Sequence, residues 1–101
     1  MDSYEQRKVA NTEVDGGVVD TVAVSDCPKP YETGINHPAY NNGQWIIVDY
    51  YTTRAQAEKG HKRWVKLMRK KPESLSDINE CNIETLAKIL GTTTRGVYKR
   101  R

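Results

Sequence analysis

Apolar side chains crowd QWIIVDYY (44–51) on both faces of an extended chain. Aromatic and β-branched residues favour a strand, and a strand apolar on both faces is central or covered by a helix. The next apolar pattern has a different period. Ala57, His61, Trp64 and Met68 recur at spacings of four, three and four, flanked by Val65 and Leu67. That is one stripe of an amphipathic helix facing a core. Thr53 with Gln56 forms a capping-box pair at its start. Arg69, Lys70 and Lys71 suit the negative end of its dipole, and Pro72 stops it. The predicted helix runs over 53–71. Gly60 falls inside it at a cost of about 1 kcal/mol against alanine, which is the mark of a close neighbour.

Upstream, β-branched residues fill KVANTEV (8–14) and VVDTVAVS (18–25) on either side of Asp15-Gly16-Gly17. Asp-Gly is a hairpin signal, because the turn needs positive φ. Strands are predicted near 8–14 and 18–24. A partly disordered acidic leader is the other reading of this segment. CPKP (27–30) breaks the pattern, since its prolines cannot sit in a ladder. YETGIN (31–36) alternates as a short strand, and HPAYNNG (37–43) is a loop. LSDI (75–78) suits an edge strand. Helices are expected near 83–90, closed by Gly91, and over 93–101. The expected fold is α+β: a small antiparallel sheet, one long helix packed across it and a short helical C-terminus. Three parts follow: an N-terminal hairpin or acidic segment (1–26), an α+β core (27–80) and a basic helical end (81–101).

Composition changes this picture little: 37% hydrophobic and 29% charged residues in 101 are ordinary for one globular domain. A chain this short buries a modest share of its surface, so a homodimer would add stability. No apolar run approaches the roughly 20 residues of a membrane span, and MDSYEQRK has no signal-peptide core. A cytoplasmic location is expected. There Cys27 and Cys81 are expected to be free thiols.

Charge changes the picture more. The net charge is +3, but residues 1–52 hold eight acids and three bases, and residues 53–101 hold thirteen bases and five acids. A basic half can meet phosphate, or it can be a solvated face attracted to the acidic half.

Candidate chemistry is sparse. His37 and His61 share no ligand spacing with Cys27 or Cys81, and no CxxC or HxxxH is present, so no metal site is expected. His61, on the apolar stripe, is expected to donate to a backbone carbonyl. No catalytic residue, phosphate loop or cofactor is predicted. His37, Tyr40, Asn41 and Asn42 form a candidate protein-interaction loop. Tyr31, Tyr50, Tyr51 and Trp45 add an aromatic neighbourhood suited to an interface or to packing under the helix.

LAKILGTTTRGVYKR (86–100) sets Ala87, Gly91 and Val97 at helix-turn-helix spacing. It resembles the helix-turn-helix of bacterial and phage regulators, although Thr92 stands where an aliphatic residue is usual. The resemblance implies a recognition helix presenting Thr93, Thr94, Arg95, Tyr98 and Lys99 to DNA. Arg100 and Arg101 would add phosphate contacts, as would Lys62, Arg63, Lys66 and Arg69. A helical hairpin on the sheet, or a frayed basic tail, accounts for the same residues.

The centre of the chain carries a second pattern. Tyr31 and Thr33, His37 to Gly43, Trp45 to Val48, then Gly60, His61, Trp64 and Val65, then Leu75 to Ile78 follow in order. This stretch, roughly 28–80, resembles small phage-encoded proteins without an assigned function. The resemblance implies a phage or prophage origin. It leaves two expectations for this chain: a non-catalytic DNA-binding accessory protein, or an inhibitor that binds a host or anti-phage defence protein.

Overall fold

A computed structural model describes residues 3–25, 27–78 and 96–101. Four strands form an antiparallel meander in sequence order: β1 (Lys8–Val14), β2 (Gly17–Ala23), β3 (Tyr31–Asn36) and β4 (Ile46–Tyr51). The mixed α+β architecture agrees with the sequence. The predicted hairpin forms as Asp15 and Gly16 turn the chain with φ of 53° and 83°. Both lie in the left-handed region that a primed turn requires. β2 then pairs with β3 along its whole length, from Val18 opposite Asn36 to Ala23 opposite Tyr31. The sheet is therefore continuous across the break at 27–30. Between β3 and β4 the register shifts at Thr33 and Gly34.

The short helix α1 (Tyr4–Arg7) precedes β1, capped by Ser3 and Gln6. Tyr4 fastens it to the sheet: its hydroxyl donates to the Asp20 carboxylate, and the Asn11 amide donates to both. The long helix α2 (Arg54–Arg69) crosses the opposite face, one residue shorter at its start and two at its end than predicted. Its capping box is present: Thr53 Oγ1 accepts from Gln56 N at 3.1 Å, and Gln56 Oε1 accepts from Thr53 N at 3.2 Å. The core lies between sheet and helix, where Val19, Ile35, Ile46, Met68 and Leu75 are at most 2% exposed. Gly60 is the close-approach point. A β-carbon there would collide with the Tyr51 ring, so the helix sits directly on an aromatic face.

A second sheet joins β5 (Ser74–Ser76) to β6 (Val97–Lys99), antiparallel, with Leu75 opposite Tyr98. This corrects the helix expected over 93–101. Leu75 and Tyr98 both contribute to the core, so tertiary pairing with β5 outweighs the local helical pattern. The helix expected near 83–90, with Ala87, Gly91 and Thr92, lies outside the described residues.

Cys27 is disulfide-bonded, which corrects the expectation of a free thiol. The spacing of two cysteines leaves pairing undetermined, because only the fold decides which sulfurs meet. The other cysteine, Cys81, lies outside the described residues. Among the described residues, no helix is long and apolar enough to cross a membrane.

Candidate nucleic-acid interface

α2 gathers the predicted cations. At about 100° per residue, Lys59, Lys62, Arg63, Lys66, Arg69 and Lys70 fall within an arc of about 120° opposite the buried stripe. All six are exposed. From Lys59 to Lys70 the stripe is about 16 Å long. The four predicted residues Lys62, Arg63, Lys66 and Arg69 are thus brought onto one face. Lys59 and Lys70 were missed by sequence reasoning, though each lies three or four residues from another cation of the stripe.

Arg63 is partly committed. Its Nη2 lies 2.7 Å from Asp49 Oδ2, which also accepts from Trp64 Nε1 at 3.0 Å. The acid on this helix, Glu58, pairs with Arg54 at 3.3 Å. Lys59, Lys62, Lys66, Arg69 and Lys70 form no ion pair among the described residues.

At the C-terminal end the predicted recognition residues part company. Thr93, Thr94 and Arg95 lie outside the described residues. On β6 successive side chains alternate, so Tyr98 turns inward while Lys99 stays exposed. Val97, which helix-turn-helix spacing would turn inward, is 66% exposed. This overturns the recognition helix at 97–99: a strand here presents Lys99, followed by Arg101, and withdraws Tyr98.

Arg100 is held inside the protein surface. Its Nη2 donates to Asp15 Oδ2 at 3.0 Å and its Nη1 to the Tyr40 hydroxyl at 3.2 Å. The guanidinium lies 5.6 Å from the Tyr40 ring centroid. The Tyr40 contact raises the Arg100 pKa, while the Arg100 hydrogen bond holds the Asp15 carboxyl below the usual carboxylate range. Lys71 Nζ stands 3.9 Å from the same carboxylate. Asp15 was read only as a turn residue. Nothing local could show that three cations or polar rings converge on it from 22 to 85 positions away.

The proposed interaction loop divides as well. His37 is 3% exposed and Tyr40 is 1% exposed, so neither can meet a partner. This corrects their assignment to a presented surface. Ala39 N donates to His37 Nδ1 at 3.0 Å, which leaves Nε2 to carry the proton toward the Asp15 carbonyl at 2.7 Å. Tyr40 donates to the Pro72 carbonyl. Both rings close the core beneath the turn. Asn41 and Asn42 remain at its tip, beside Lys99 and Arg101.

His61 is buried, but hydroxyls replace the expected carbonyl. Its Nδ1 meets Thr21 Oγ1 at 2.8 Å and its Nε2 meets Thr12 Oγ1 at 2.9 Å. Thr21 continues to Thr33 at 2.6 Å, and Thr33 to the Tyr51 hydroxyl at 2.9 Å. Burial lowers the His61 pKa and pushes the Tyr51 phenol up to about 12. The chain is a satisfied polar seam between β1, β2, β3, β4 and α2. It holds a neutral imidazole with both nitrogens engaged. Among the described residues, no three His, Cys, Asp or Glu side chains gather to hold a metal. No protein-family model, no curated protein and no solved structure matches the chain.

Proposed function

We propose that this chain is a non-catalytic accessory protein that binds nucleic acid through its phosphate backbone, using the outer face of α2. The observation that carries the reading is the single-sign stripe from Lys59 to Lys70, five of whose six cations have no ion-pair partner among the described residues. Like charges three and four residues apart on a helix repel and cost stability. A polyanion laid along the stripe relieves that repulsion and releases its own counterions. The exposed arc holds lysines and arginines and no ring that could stack on a base, so it would grip any sequence. The resemblance to small phage proteins gives the setting: a phage or prophage protein.

The test is fluorescence anisotropy with a labelled random-sequence oligonucleotide at 50 and 200 mM salt. Engaging about five phosphates gives a slope near −4.5 in log affinity against log salt, a loss of several hundred-fold over that range. Lys62→Gln with Lys70→Gln should reduce the slope by about 2. Absent or salt-independent binding by the parent chain would remove the proposal.

One observation favours a second reading, an inhibitor that binds a host or defence protein. On the sheet face away from α2, Trp45 is 51% exposed and Tyr4 is 40% exposed. They line a shallow depression with Asp20 and Val18. Exposed tryptophan and tyrosine suit a protein interface. Capture of one host protein, lost in Trp45→Ala and kept in the Lys62→Gln/Lys70→Gln variant, would favour this reading.

A further inference from the structure

The 37–43 turn and β6 meet at a depression of about 300 Å³, lined in part by Asn41, Asn42, Tyr98, Lys99 and Arg101. That volume is at the lower end of ligand sites. Among the described residues, no Asp or Glu side chain lines it. Lys99 and Arg101 lie two apart in extended chain and so project to the same side. Arg101 is anchored to the turn, its N–H donating to the Ala39 carbonyl at 2.9 Å.

The turn itself carries the second half of the argument. Asn41 and Asn42 both adopt left-handed backbone, with φ of 51° and 53°. Glycine takes that conformation without strain, and asparagine tolerates it at a cost. The turn is held by backbone bonds, Gly43 N to Tyr40 O at 3.0 Å and Gln44 N to Asn41 O at 2.9 Å. Neither asparagine carboxamide makes a hydrogen bond within the described residues. Two strained positions therefore keep side chains that the fold does not use. A carboxamide sets a donor beside an acceptor, the pair that matches the edge of a base.

We infer that this depression is a nucleotide subsite for single-stranded nucleic acid, with Lys99 and Arg101 on phosphate and the Asn41 and Asn42 amides on an exposed base edge. The inference rests on the nucleic-acid reading of α2 and deepens it. An unpaired strand offers its base edges freely to a shallow site, whereas a duplex keeps them inside its grooves. Arg100, between Lys99 and Arg101, and Lys71, just past α2, both contact Asp15, so β6 and the chain leaving α2 meet at that carboxylate.

The test is the double variant Asn41→Gly with Asn42→Gly, which keeps the left-handed turn and deletes both side chains. Its thermal midpoint should equal or exceed that of the parent. Affinity for a labelled single-stranded 12-mer of mixed sequence should fall about ten-fold, the worth of one well-placed amide pair. Affinity for a duplex of that sequence should be unchanged. In nitrogen-15 spectra of the parent chain, the Asn41 and Asn42 side-chain NH2 signals should shift with the single strand and stay in place with the duplex. Unchanged single-strand affinity in the glycine variant overturns the subsite while leaving the α2 proposal standing. Failure of the parent chain to bind either oligonucleotide overturns both.

Discussion

Lys66 is the position where fold and proposed function pull in opposite directions. It lies at the centre of the stripe, with Lys62 and Arg63 four and three residues before it and Arg69 and Lys70 three and four after. Each like-charged neighbour at that spacing costs roughly 0.2–0.5 kcal/mol, and an opposite pair returns a similar amount. Lys66→Glu converts four repulsions into four attractions. Summed at face value this gives about 1.6–4 kcal/mol. Arg63 is already paired with Asp49 at 2.7 Å, exposed charges are screened and compete for one carboxylate, and a carboxylate in the last helical turn opposes the dipole by roughly 0.3–1 kcal/mol. About 1 kcal/mol of net stabilisation remains, or a rise of about 4–8 °C in the thermal midpoint of a chain this size. The same change removes one phosphate contact and adds a repulsion. Nucleic-acid affinity should fall at least ten-fold near 0.1 M salt, with the salt slope lowered by about 1 or more. Circular-dichroism melting in low and high salt, alongside anisotropy, reads both effects. The stability gain should shrink in 1 M salt, where the Debye length is about 3 Å. A Lys66→Glu chain that is less stable, or that binds nucleic acid as tightly as the parent, would refute the account of the stripe.

Other consequences follow from the packing. Gly60→Ala, which gains about 1 kcal/mol in an open helix, should instead destabilise by about 1–2 kcal/mol, because its methyl meets the buried Tyr51 ring; a higher urea midpoint would contradict that. The lowered His61 pKa means that the unfolded chain binds the proton more readily than the folded one. Stability from this group is complete above the ordinary histidine value of 6.5 and is lost as pH falls through 6.5 toward the folded value. The midpoint measured from pH 7.5 to 5 should therefore drop, and His61→Gln should flatten that dependence. Arg100→Gln releases the tie to Asp15 and Tyr40, so amides of Val97 to Lys99 should exchange faster while β1 to β4 stay protected. Equal exchange across both sheets would show that the Leu75 and Tyr98 packing alone holds β6.

The elements that local patterning determines were legible in the sequence. The Asp15-Gly16 turn, the strand at YETGIN, the apolar run at IIVDYY and the capped, amphipathic α2 each follow from residues a few positions apart. The cationic face followed too, because helical periodicity converts Lys62, Arg63, Lys66 and Arg69 into one surface. Tertiary structure decided the rest. The pattern over 86–100 reads as helix-turn-helix by spacing, yet residues 97–99 pair with Ser74–Ser76 because Leu75 and Tyr98 share the core. Strand alternation then hides Tyr98 and exposes Val97, the reverse of helical placement, while Lys99 stays exposed. His37 and Tyr40 looked like a presented loop, but they are buried by contacts with Asp15, Pro72 and Arg100 at separations of 22 to 60 residues. His61 was legible as a core residue, while its Thr12 and Thr21 partners, 49 and 40 residues away, were not. Short-range physics is written in the order of residues. Which distant groups satisfy a buried donor, pair a carboxylate or claim a terminal strand is fixed only when the whole chain closes on one core.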